Sequence, residues 1–365
     1  MESAYSNVYS LSATLLRRRI TGALQATTSE KAKAGIAFID QNTVYTYPTV
    51  DRLTNYLVRL ATNTDKIDNV ESHVDQIEAM VAQYSKPWPT IHGIAEPGTT
   101  VLLTGSTGNL GSHILEALLR DPRILRIYAF NRSSSHQPLD RHISRFENNG
   151  LDKVLLTSEK LTFLEGDASQ DNLGVESSVF NQVCILYFNV RIYLTLSQLR
   201  NSVDVIIHCA WRLSFNLSLS SFDSSVRGVR NLIDFAHACV NVSRVKLIFT
   251  SSVSSASSWT SSQGPYPEEI ISDAKFAVGM GYGESKYVSE RVFITLLVVF
   301  RSGFITGFLQ LLVESGLDIS SLRIGQISGG HQNGAWAVTD WVPILVKSSL
   351  VLGVLPLATG VIDFI

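Results

Sequence analysis

Short apolar runs alternate with amphipathic segments from residue 99 onward. Short apolar runs are typical of buried strands, whereas apolar residues at helical spacing predict helices. Strands are predicted at residues 99–104, 127–130, 161–165, 203–208, 245–250 and 321–324, and helices at 110–119, 225–240 and 282–290. Strands that alternate with helices form a parallel sheet with helices on both faces. The pattern therefore predicts an α/β fold with a doubly wound parallel sheet.

The first 98 residues show a different, helical pattern. Apolar residues share one side of a predicted helix at 10–24, with three arginines mostly on the other side, and a second amphipathic helix is predicted at 49–61. A charged helix around residues 71–84 precedes three prolines and a change in composition. The chain therefore divides into a small helical segment at 1–64, a linker at 65–98 and an α/β domain at 99–365.

Composition and charge argue against several classes of function. The chain has 30 basic and 32 acidic residues and a net charge of −2, which argues against binding nucleic acid by neutralising phosphates. Its three cysteines cannot form a disulfide framework, and its eight histidines lack zinc-ligand spacing, so we expect no metal site. The arginine-rich first 24 residues also fit a mitochondrial transit peptide. The apolar core of a secretory signal peptide does not occur ahead of the arginines. We expect a cytoplasmic protein.

One apolar stretch, residues 292–313, is long enough to span a bilayer as a helix. Arg301 lies near its middle. An arginine at that depth costs roughly 2.5–3.5 kcal/mol on insertion scales. We therefore treat the stretch as a weak membrane candidate and expect no membrane partner.

A glycine-rich loop follows the first predicted strand of the α/β domain and opens its first helix. The loop is TGSTGNLG, residues 104–111, and its glycines have the spacing G-x-x-G-x-x-G. Glycine permits a tight turn and lets backbone N–H groups approach a pyrophosphate at the N-terminus of the helix. In this context the loop predicts a dinucleotide site of the Rossmann type. The predicted cofactor-binding residues of the loop are Gly105, Ser106, Thr107, Gly108, Asn109, Leu110 and Gly111.

The residues after the second and third strands indicate which dinucleotide binds. An NAD enzyme offers Asp or Glu to the ribose hydroxyls at the end of the second strand, whereas this chain has Asn131 and Arg132 there. A cation at this position suits a 2′-phosphate, so we predict NADP(H) as the cofactor. The alternative is that Arg132 is a solvated surface side chain. Asp167, after the third strand, is expected beside the adenine.

The motif Y-x-x-x-K at Tyr282 and Lys286 is the candidate for acid–base chemistry. Residues four apart share one face of a helix, so the phenol and the ammonium project together. A nearby ammonium favours the phenolate, and we therefore expect Lys286 to lower the pKa of Tyr282. A predicted strand ends shortly before this helix in Ser251 and Ser252, where hydroxyls face the ligand crevice of such sheets.

Together, the glycine loop, the serines and the Y-x-x-x-K motif resemble the extended short-chain dehydrogenase/reductase superfamily. More narrowly, the sequence is similar to the thioester reductase domains that terminate carrier-protein assembly lines, as in fungal adenylate-forming reductases that resemble nonribosomal peptide synthetases. The matching stretches, spread over residues 99–330, are VLLTGSTGNLGSHIL, VDVIIHCAWRLSFNLSLSSF, LIFTSS, GYGESKYVSER and SLRIGQISGG.

The resemblance implies site residues and a reaction. It implies a catalytic triad of Ser252, Tyr282 and Lys286, with Ser251 as the rival for the serine. Tyr282 and Lys286 are also implied to bind the cofactor, with Lys286 holding the nicotinamide ribose. It also implies that the loop Cys209-Ala210-Trp211 lines the nicotinamide side, with Cys209 where the family often has Asn. The implied reaction is NADPH-dependent reductive release of a carrier-bound acyl thioester as an aldehyde. The alternatives are an NADP-dependent reductase or epimerase of a free small molecule, and an inactive nucleotide-binding fragment.

The N-terminus resembles part of a phosphopantetheine carrier domain. The sequence YSLSATLLRRRITGAL, residues 9–24, is similar to the carrier helix that follows an Asp-Ser-Leu attachment motif, although Tyr9 replaces the Asp. Residues 38–60 resemble the last helices of a carrier. The resemblance implies a truncated carrier with phosphopantetheine on Ser10. The alternative is that Ser10 is an ordinary helix N-cap.

Two apolar stretches, residues 183–198 and 292–310, interrupt the resemblance. Both begin with Val and end with Gln, whose codons can supply the first and last nucleotides of an intron. Our hypothesis is two retained introns translated in frame, and the alternatives are a buried insertion or a membrane helix. We also expect the reductase domain to be truncated after residue 365, where related reductases continue.

Overall fold

The computed structural model describes residues 10–39, 43–47, 50–62, 70–85, 99–175, 179–185, 188–194, 196–239, 245–295, 309–312, 317–330, 333–336, 338 and 340–354. Its helices are α1 (Ser10–Gln25), α2 (Glu30–Ala34), α3 (Thr43–Thr46), α4 (Val50–Thr62), α5 (Val70–Tyr84), α6 (Asn109–Arg120), α7 (Pro138–Asn148), α8 (Leu196–Ser202), α9 (Asp223–His237), α10 (Gly281–Thr295) and α11 (Trp341–Leu352). Its strands are β1 (Thr99–Thr104), β2 (Ile124–Asn131), β3 (Leu161–Glu165), β4 (Val179–Ile185), β5 (Phe188–Leu194), β6 (Val205–His208), β7 (Lys246–Ser252), β8 (Leu309–Leu312) and β9 (Asp318–Ile324).

The main sheet has the strand order β3-β2-β1-β6-β7-β9-β8. All neighbours pair in parallel except β8, which runs antiparallel to β9 at the edge. The chain builds outward from β1 in one direction and returns to β6 on its other side. In such sheets ligands bind outside the carboxyl ends of the strands, where the order reverses. The predicted doubly wound, Rossmann-like sheet is confirmed, and it places a crevice between β1 and β6.

The sheet is covered on both faces. Successive side chains of a strand point to opposite faces, so Leu102 packs on one side of β1 while Val101 and Leu103 pack on the other. The Leu102 side belongs to a core with α5, α9 and α10, and the opposite side to a core with α6 and α7. Burial on both sides explains why the strands read as continuous apolar runs.

Helix α5 lies within the range expected to be a linker, residues 65–98, and the structure differs from that expectation. Ile77, Val81 and Tyr84 are buried in the core that contains α9 and α10. The Tyr84 hydroxyl donates to Asp223 Oδ1 (2.7 Å), and Arg230 donates to the Tyr84 carbonyl (3.0 Å). The apolar face of α5 is therefore buried by the α/β domain, and the domain begins no later than this helix.

The N-terminal helices pack on one another. Val44, Leu53 and Leu60 are buried, and a Cβ on Gly35 would lie 3.1 Å from Leu60 Cβ, so α2 and α4 approach closely. This agrees with a helical segment within residues 1–64. Ser10 is the first residue of α1, but its side chain lies outside the described part. Its assignment as an attachment site stays a prediction.

The two interrupting stretches are only partly described. Strands β4 and β5 pair antiparallel as a separate two-stranded sheet, which includes residues 183–185 and 188–194 of the first stretch. In the second stretch, Val292 and Phe293 are buried at the end of α10, and residues 296–308 lie outside the described part. Among the described residues, no helix combines the length and apolar character needed to cross a membrane.

We expect that excising residues 183–198 and 292–310 improves folding. Each stretch is strongly apolar with a single charge, Arg191 or Arg301, and such a stretch promotes aggregation unless it is buried. The second excision leaves Leu311 and Leu312 directly after Arg291, so apolar side chains still follow the helix. Soluble yield and NADPH binding by fluorescence titration should both rise in the excised chain. Equal yield and equal binding in the unmodified chain would show that the stretches are genuine structure.

Candidate functional site

A cleft of about 350 Å³ opens at the carboxyl ends of the central strands. Seven of the residues predicted to bind the cofactor line it: Gly105, Thr107, Gly108, Arg132, Asp167, Ala210 and Trp211. Ser106 and Gly111 are buried beneath the loop, while Asn109 and Leu110 form the first turn of α6. The structure therefore gathers residues from the ends of β1, β2, β3 and β6 around one crevice.

The glycine loop aims the N-terminus of α6 at this cleft. Gly105 has φ +73°, and a Cβ there would lie 2.7 Å from the Ala210 nitrogen, so only glycine lets β1 and β6 approach so closely. Gly108 is the N-cap of α6, and no side chain of the described residues caps this helix. The first backbone N–H groups of a helix have no partner within it. These donors and the helix dipole fit the pyrophosphate of a dinucleotide.

A buried hydrogen-bond network fixes the loop from behind. Asn131 Nδ2 donates to Ser106 Oγ (2.7 Å), and the Ser106 hydroxyl donates to His142 Nε2 (2.8 Å). His142 Nδ1–H in turn donates to the Pro138 carbonyl (2.7 Å), which fixes the tautomer because a carbonyl only accepts. Burial lowers the pKa of His142 to about 4, so the ring is neutral. Asn131, expected near the ribose, therefore acts in this network, which ties the loop to β2 and α7.

Arginines border the cleft beyond β2. Arg132 is exposed and lines the cleft together with Arg141 of α7. Arg141 donates to the Arg132 carbonyl (2.8 Å) and lies 3.7 Å from Glu165 Oε1. Arg145 donates to the Thr107 carbonyl (2.8 Å), so α7 also contacts the glycine loop directly. Arg132 was predicted to bind the cofactor from its position after β2, whereas no sequence pattern indicated that Arg141 would line the cleft.

Asp167 also lines the cleft and follows β3, the strand that neighbours β2. Its Oδ1 accepts from the Ser169 backbone N–H (2.9 Å) and from the Ser169 hydroxyl (2.7 Å). This local turn holds the carboxylate within the lining of the cleft. The placement is compatible with the expected position beside an adenine.

The loop after β6 is held by hydrogen bonds from β1. The Thr104 hydroxyl accepts from the Ala210 N–H (3.1 Å) and is hydrogen-bonded to His208 Nδ1 (2.7 Å). Burial lowers the pKa of His208 to about 3, so the ring is neutral. Within the described residues, His208 Nε2 and Trp211 Nε1 are buried without hydrogen-bond partners. Both residues line the cleft, and unsatisfied buried polar atoms are uncommon, so the site fits a polar ligand.

Tyr282 lies near the serine end of β7, where α10 begins. A Cβ on Gly283 would lie 2.1 Å from the Ser254 carbonyl oxygen, so glycine is needed for α10 to pack against the turn after β7. Burial raises the pKa of Tyr282, and a hydrogen bond with Ser252 acts in the opposite direction. The ring of Phe215 meets the ring of Tyr282 edge to face, with 5.2 Å between centroids.

Ser251 and Ser252 occupy different environments, although both side chains are buried. Ser252 Oγ accepts from the Ser254 N–H (3.2 Å), and Ser252 is the side chain that acts to lower the pKa of Tyr282. Ser251 Oγ has no hydrogen-bond partner within the described residues. The geometry therefore brings Ser252, rather than Ser251, together with Tyr282.

Lys286 is buried between α10 and the sheet. Its Nζ donates to the Thr250 carbonyl (2.6 Å) and lies 3.9 Å from the ring centroid of Trp211 and 4.6 Å from that of Phe249. Burial lowers the pKa of Lys286 to about 7. We expected Lys286 to lower the pKa of Tyr282, and the structure differs. Its Nζ lies 5.8 Å from the Tyr282 ring centroid and donates to Thr250 instead, so burial dominates the pKa of the phenol.

Comparison with known proteins identifies the family of the chain. Residues 103–187 and 194–364 match the male sterility protein family of NAD-binding domains. The intervening residues, 188–193, fall inside the stretch 183–198 that interrupts the resemblance, whereas the second match runs through 292–310. An adenylate-forming reductase of Serpula lacrymans is 43% identical over 98% of this chain and 30% of its own length. The chain thus spans about a third of the length of this curated relative.

Two solved structures share the fold. The terminal R domain from the myxalamid polyketide and nonribosomal peptide pathway is 25% identical, with a TM-score of 0.58 over 80% of this chain and 65% of that chain. An archaeal thiolation-reductase di-domain from a nonribosomal peptide synthetase is 18% identical, with a TM-score of 0.57 over 94% of this chain and 63% of that chain. Since the family match covers more than half of the residues, the chain belongs to the NAD-binding male sterility protein family, a family of oxidoreductases whose cofactor is a nicotinamide dinucleotide.

Proposed function

We propose that this chain is an NADPH-dependent reductase that releases a carrier-bound acyl thioester as an aldehyde. The observation that carries the proposal is the position of Lys286, whose Nζ lies 5.8 Å from the ring centroid of Tyr282 and 3.9 Å from that of Trp211, a residue that lines the dinucleotide cleft. The 43% identity to an adenylate-forming reductase and the likeness to a terminal R domain support this reaction class. The proposal places the reaction in the cytoplasm.

The chain's own side chains perform the proton chemistry. When bound, the nicotinamide supplies a hydride to the thioester carbonyl carbon. The Ser252 hydroxyl hydrogen-bonds the carbonyl oxygen, and the Tyr282 phenol donates its proton to the developing oxyanion. Because burial raises the pKa of Tyr282, the phenol is protonated at neutral pH and ready to donate. Collapse of the resulting hemithioacetal yields the aldehyde and the free thiol of the carrier arm.

The preference for NADPH over NADH is part of the proposal. Arg132 and Arg141 line the same side of the cleft, beyond the end of β2. Guanidinium groups bind phosphate oxygens strongly, through charge-assisted hydrogen bonds. An exposed Arg132 at this position suits a 2′-phosphate, which NADH lacks.

A phosphopantetheine carrier within the first 64 residues is also part of the proposal. The archaeal thiolation-reductase di-domain is similar in fold over 94% of this chain, a share that extends into the N-terminal helices. Ser10 begins α1, which is where an attachment serine stands in the resembled motif. The carrier-bound acyl group is then the substrate presented to the cleft.

Substituting Arg132→Ala should weaken NADPH binding about tenfold and leave NADH binding nearly unchanged, because it removes one charge-assisted phosphate contact. Fluorescence titration of both cofactors measures the two dissociation constants. Arg126→Ala is the control, since it removes an exposed arginine from the same strand, distant from its carboxyl end. An equal loss for both cofactors in Arg132→Ala would show that this residue does not read the 2′-phosphate.

Substituting Tyr282→Phe should lower kcat on a carrier-bound thioester by about two to four orders of magnitude, as expected for loss of a general acid. The assay uses the chain without residues 183–198 and 292–310. NADPH should still bind, because the glycine loop is untouched. Tyr287→Phe removes a phenol from the same helix that bonds the Ile271 carbonyl, and it should retain turnover. Near-normal turnover by Tyr282→Phe would refute the proposed proton donor.

The stability of the chain should depend on pH through Lys286. Burial holds the pKa of Lys286 at about 7, against an ordinary value of 10.5. Between these values the unfolded chain binds a proton that the folded chain lacks, so stability rises with pH. The free energy of unfolding of the unmodified chain, minus that of Lys286→Met, should rise by up to about 1.4 kcal/mol per pH unit from about pH 7 to 10. Urea unfolding checks this, and parallel pH profiles for the two chains would contradict it.

A further inference from the structure

Helix α5, which precedes the sheet, packs along the helix that carries Tyr282 and Lys286. Polar contacts join the two helices at the beginning and near the end of α10. His73 of α5 lies 3.0 Å from Glu284, and Glu78 of α5 lies 3.0 Å from Arg291. The chain N-terminal to the sheet is therefore in direct contact with the helix that bears the proposed catalytic pair.

Glu284 is the buried member of the first contact. Its side chain is 2% exposed, and its Oε1 accepts from His73 Nδ1–H (3.0 Å) and from the Gly279 backbone N–H (3.1 Å). A buried carboxylate is stable only when hydrogen bonds replace the water it has lost. The two donors come from α5 and from the loop that leads into α10, so Glu284 joins three segments at one point.

Glu284 stands between Tyr282 and Lys286 in the sequence, in the first turn of α10. The start of this helix is also where Tyr282 reaches Ser252. A displacement of this turn moves the phenol and the ammonium together. Misplacement of a catalytic group by about 1 Å costs up to about a hundredfold in rate.

The second contact holds the other end of the interface. Arg291 is bidentate with Glu78, with distances of 3.0 and 3.3 Å, and it also donates to the Tyr287 hydroxyl (2.9 Å). A planar guanidinium that bonds both oxygens of a carboxylate fixes orientation as well as distance. With both ends held, α5 cannot slide along α10 without breaking a charged contact.

We propose that Glu284 is a positioning residue, held by His73, and that α5 thereby sets the position of Tyr282 and Lys286 against the cofactor cleft. The proposal rests on the proposed function for the roles of those two side chains. A substitution in α5 is then expected to displace Tyr282 and Lys286, because the buried Glu284 carboxylate links α5 to α10.

The test uses the full chain, with NADPH alone as the probe. Hydrogen exchange follows the amides of residues 281–288, and fluorescence titration gives the affinity for NADPH. Glu284→Ala and His73→Ala should each speed exchange of these amides about tenfold, because the first turn of α10 opens locally. Both should also weaken NADPH binding several-fold, because Lys286 is displaced. Glu284→Gln should restore most of both properties, since its amide oxygen still accepts from His73 and Gly279.

Two controls separate positioning from general loss of stability. Asp75→Ala alters an exposed residue of the same helix and should change neither measurement. Leu156→Ala truncates a core residue on the other face of the sheet and should lower Tm without selective exchange in α10. The proposal is overturned if Glu284→Gln behaves like Glu284→Ala, or if Leu156→Ala reproduces the effect. If the unmodified chain fails to bind NADPH, the proposed function fails, while the exchange data still decide the positioning role.

Discussion

The site depends on one buried amine, the side chain of Lys286. Its Nζ donates a hydrogen bond to the Thr250 carbonyl, and the ring faces of Trp211 and Phe249 lie beside it. Thr250 in turn donates its hydroxyl to the His208 carbonyl (3.0 Å), and His208 is bonded to Thr104. A line of polar contacts thus runs from α10 through β7 and β6 to β1. The cost of burying an unpaired amine makes this line a constraint on all four elements.

Helix α10 contains several polar residues that are buried. Glu284, Ser285, Lys286, Ser289 and Glu290 are all buried, although each is polar. The two serines bond carbonyls of their own helix, at 2.7 and 2.9 Å. Glu290 is paired with Arg323 of β9 (2.7 Å). Each of these five buried side chains has a hydrogen-bond partner, so the helix is fixed in rotation as well as in place.

The sequence predicted those parts of the site whose signal is local. The glycine loop and the pair Tyr282 and Lys286 have fixed spacings within one turn or one helix. The loop contributes Gly105, Thr107 and Gly108 to the lining of the cleft, and Lys286 contacts the lining residue Trp211. The parallel sheet followed from the order of apolar runs, and it is confirmed. The roles of Ser252, Tyr282 and Lys286 stay predictions.

The remaining features arise from contacts between distant segments. His142 meets Ser106 across 36 positions, and His73 meets Glu284 across 211, so no local pattern marks either pair. Helix α7 was not predicted, and the apolar face of α5 gave no indication of which surface it would contact. The pKa of Tyr282 was judged from its neighbour in the motif, whereas burial, a property of the folded chain, decides it. His142 and His208 are neutral because they are buried. Their pKa values of about 4 and 3 lie well below the 6.5 of an exposed histidine, so acid must protonate one buried ring beneath the glycine loop and one in the lining of the cleft. Stability contributed by these neutral rings is present above pH 6.5 and is lost as the pH falls toward their folded values. Protonation of His142 removes the acceptor of the Ser106 hydroxyl, and with it one of the hydrogen bonds that fix the glycine loop.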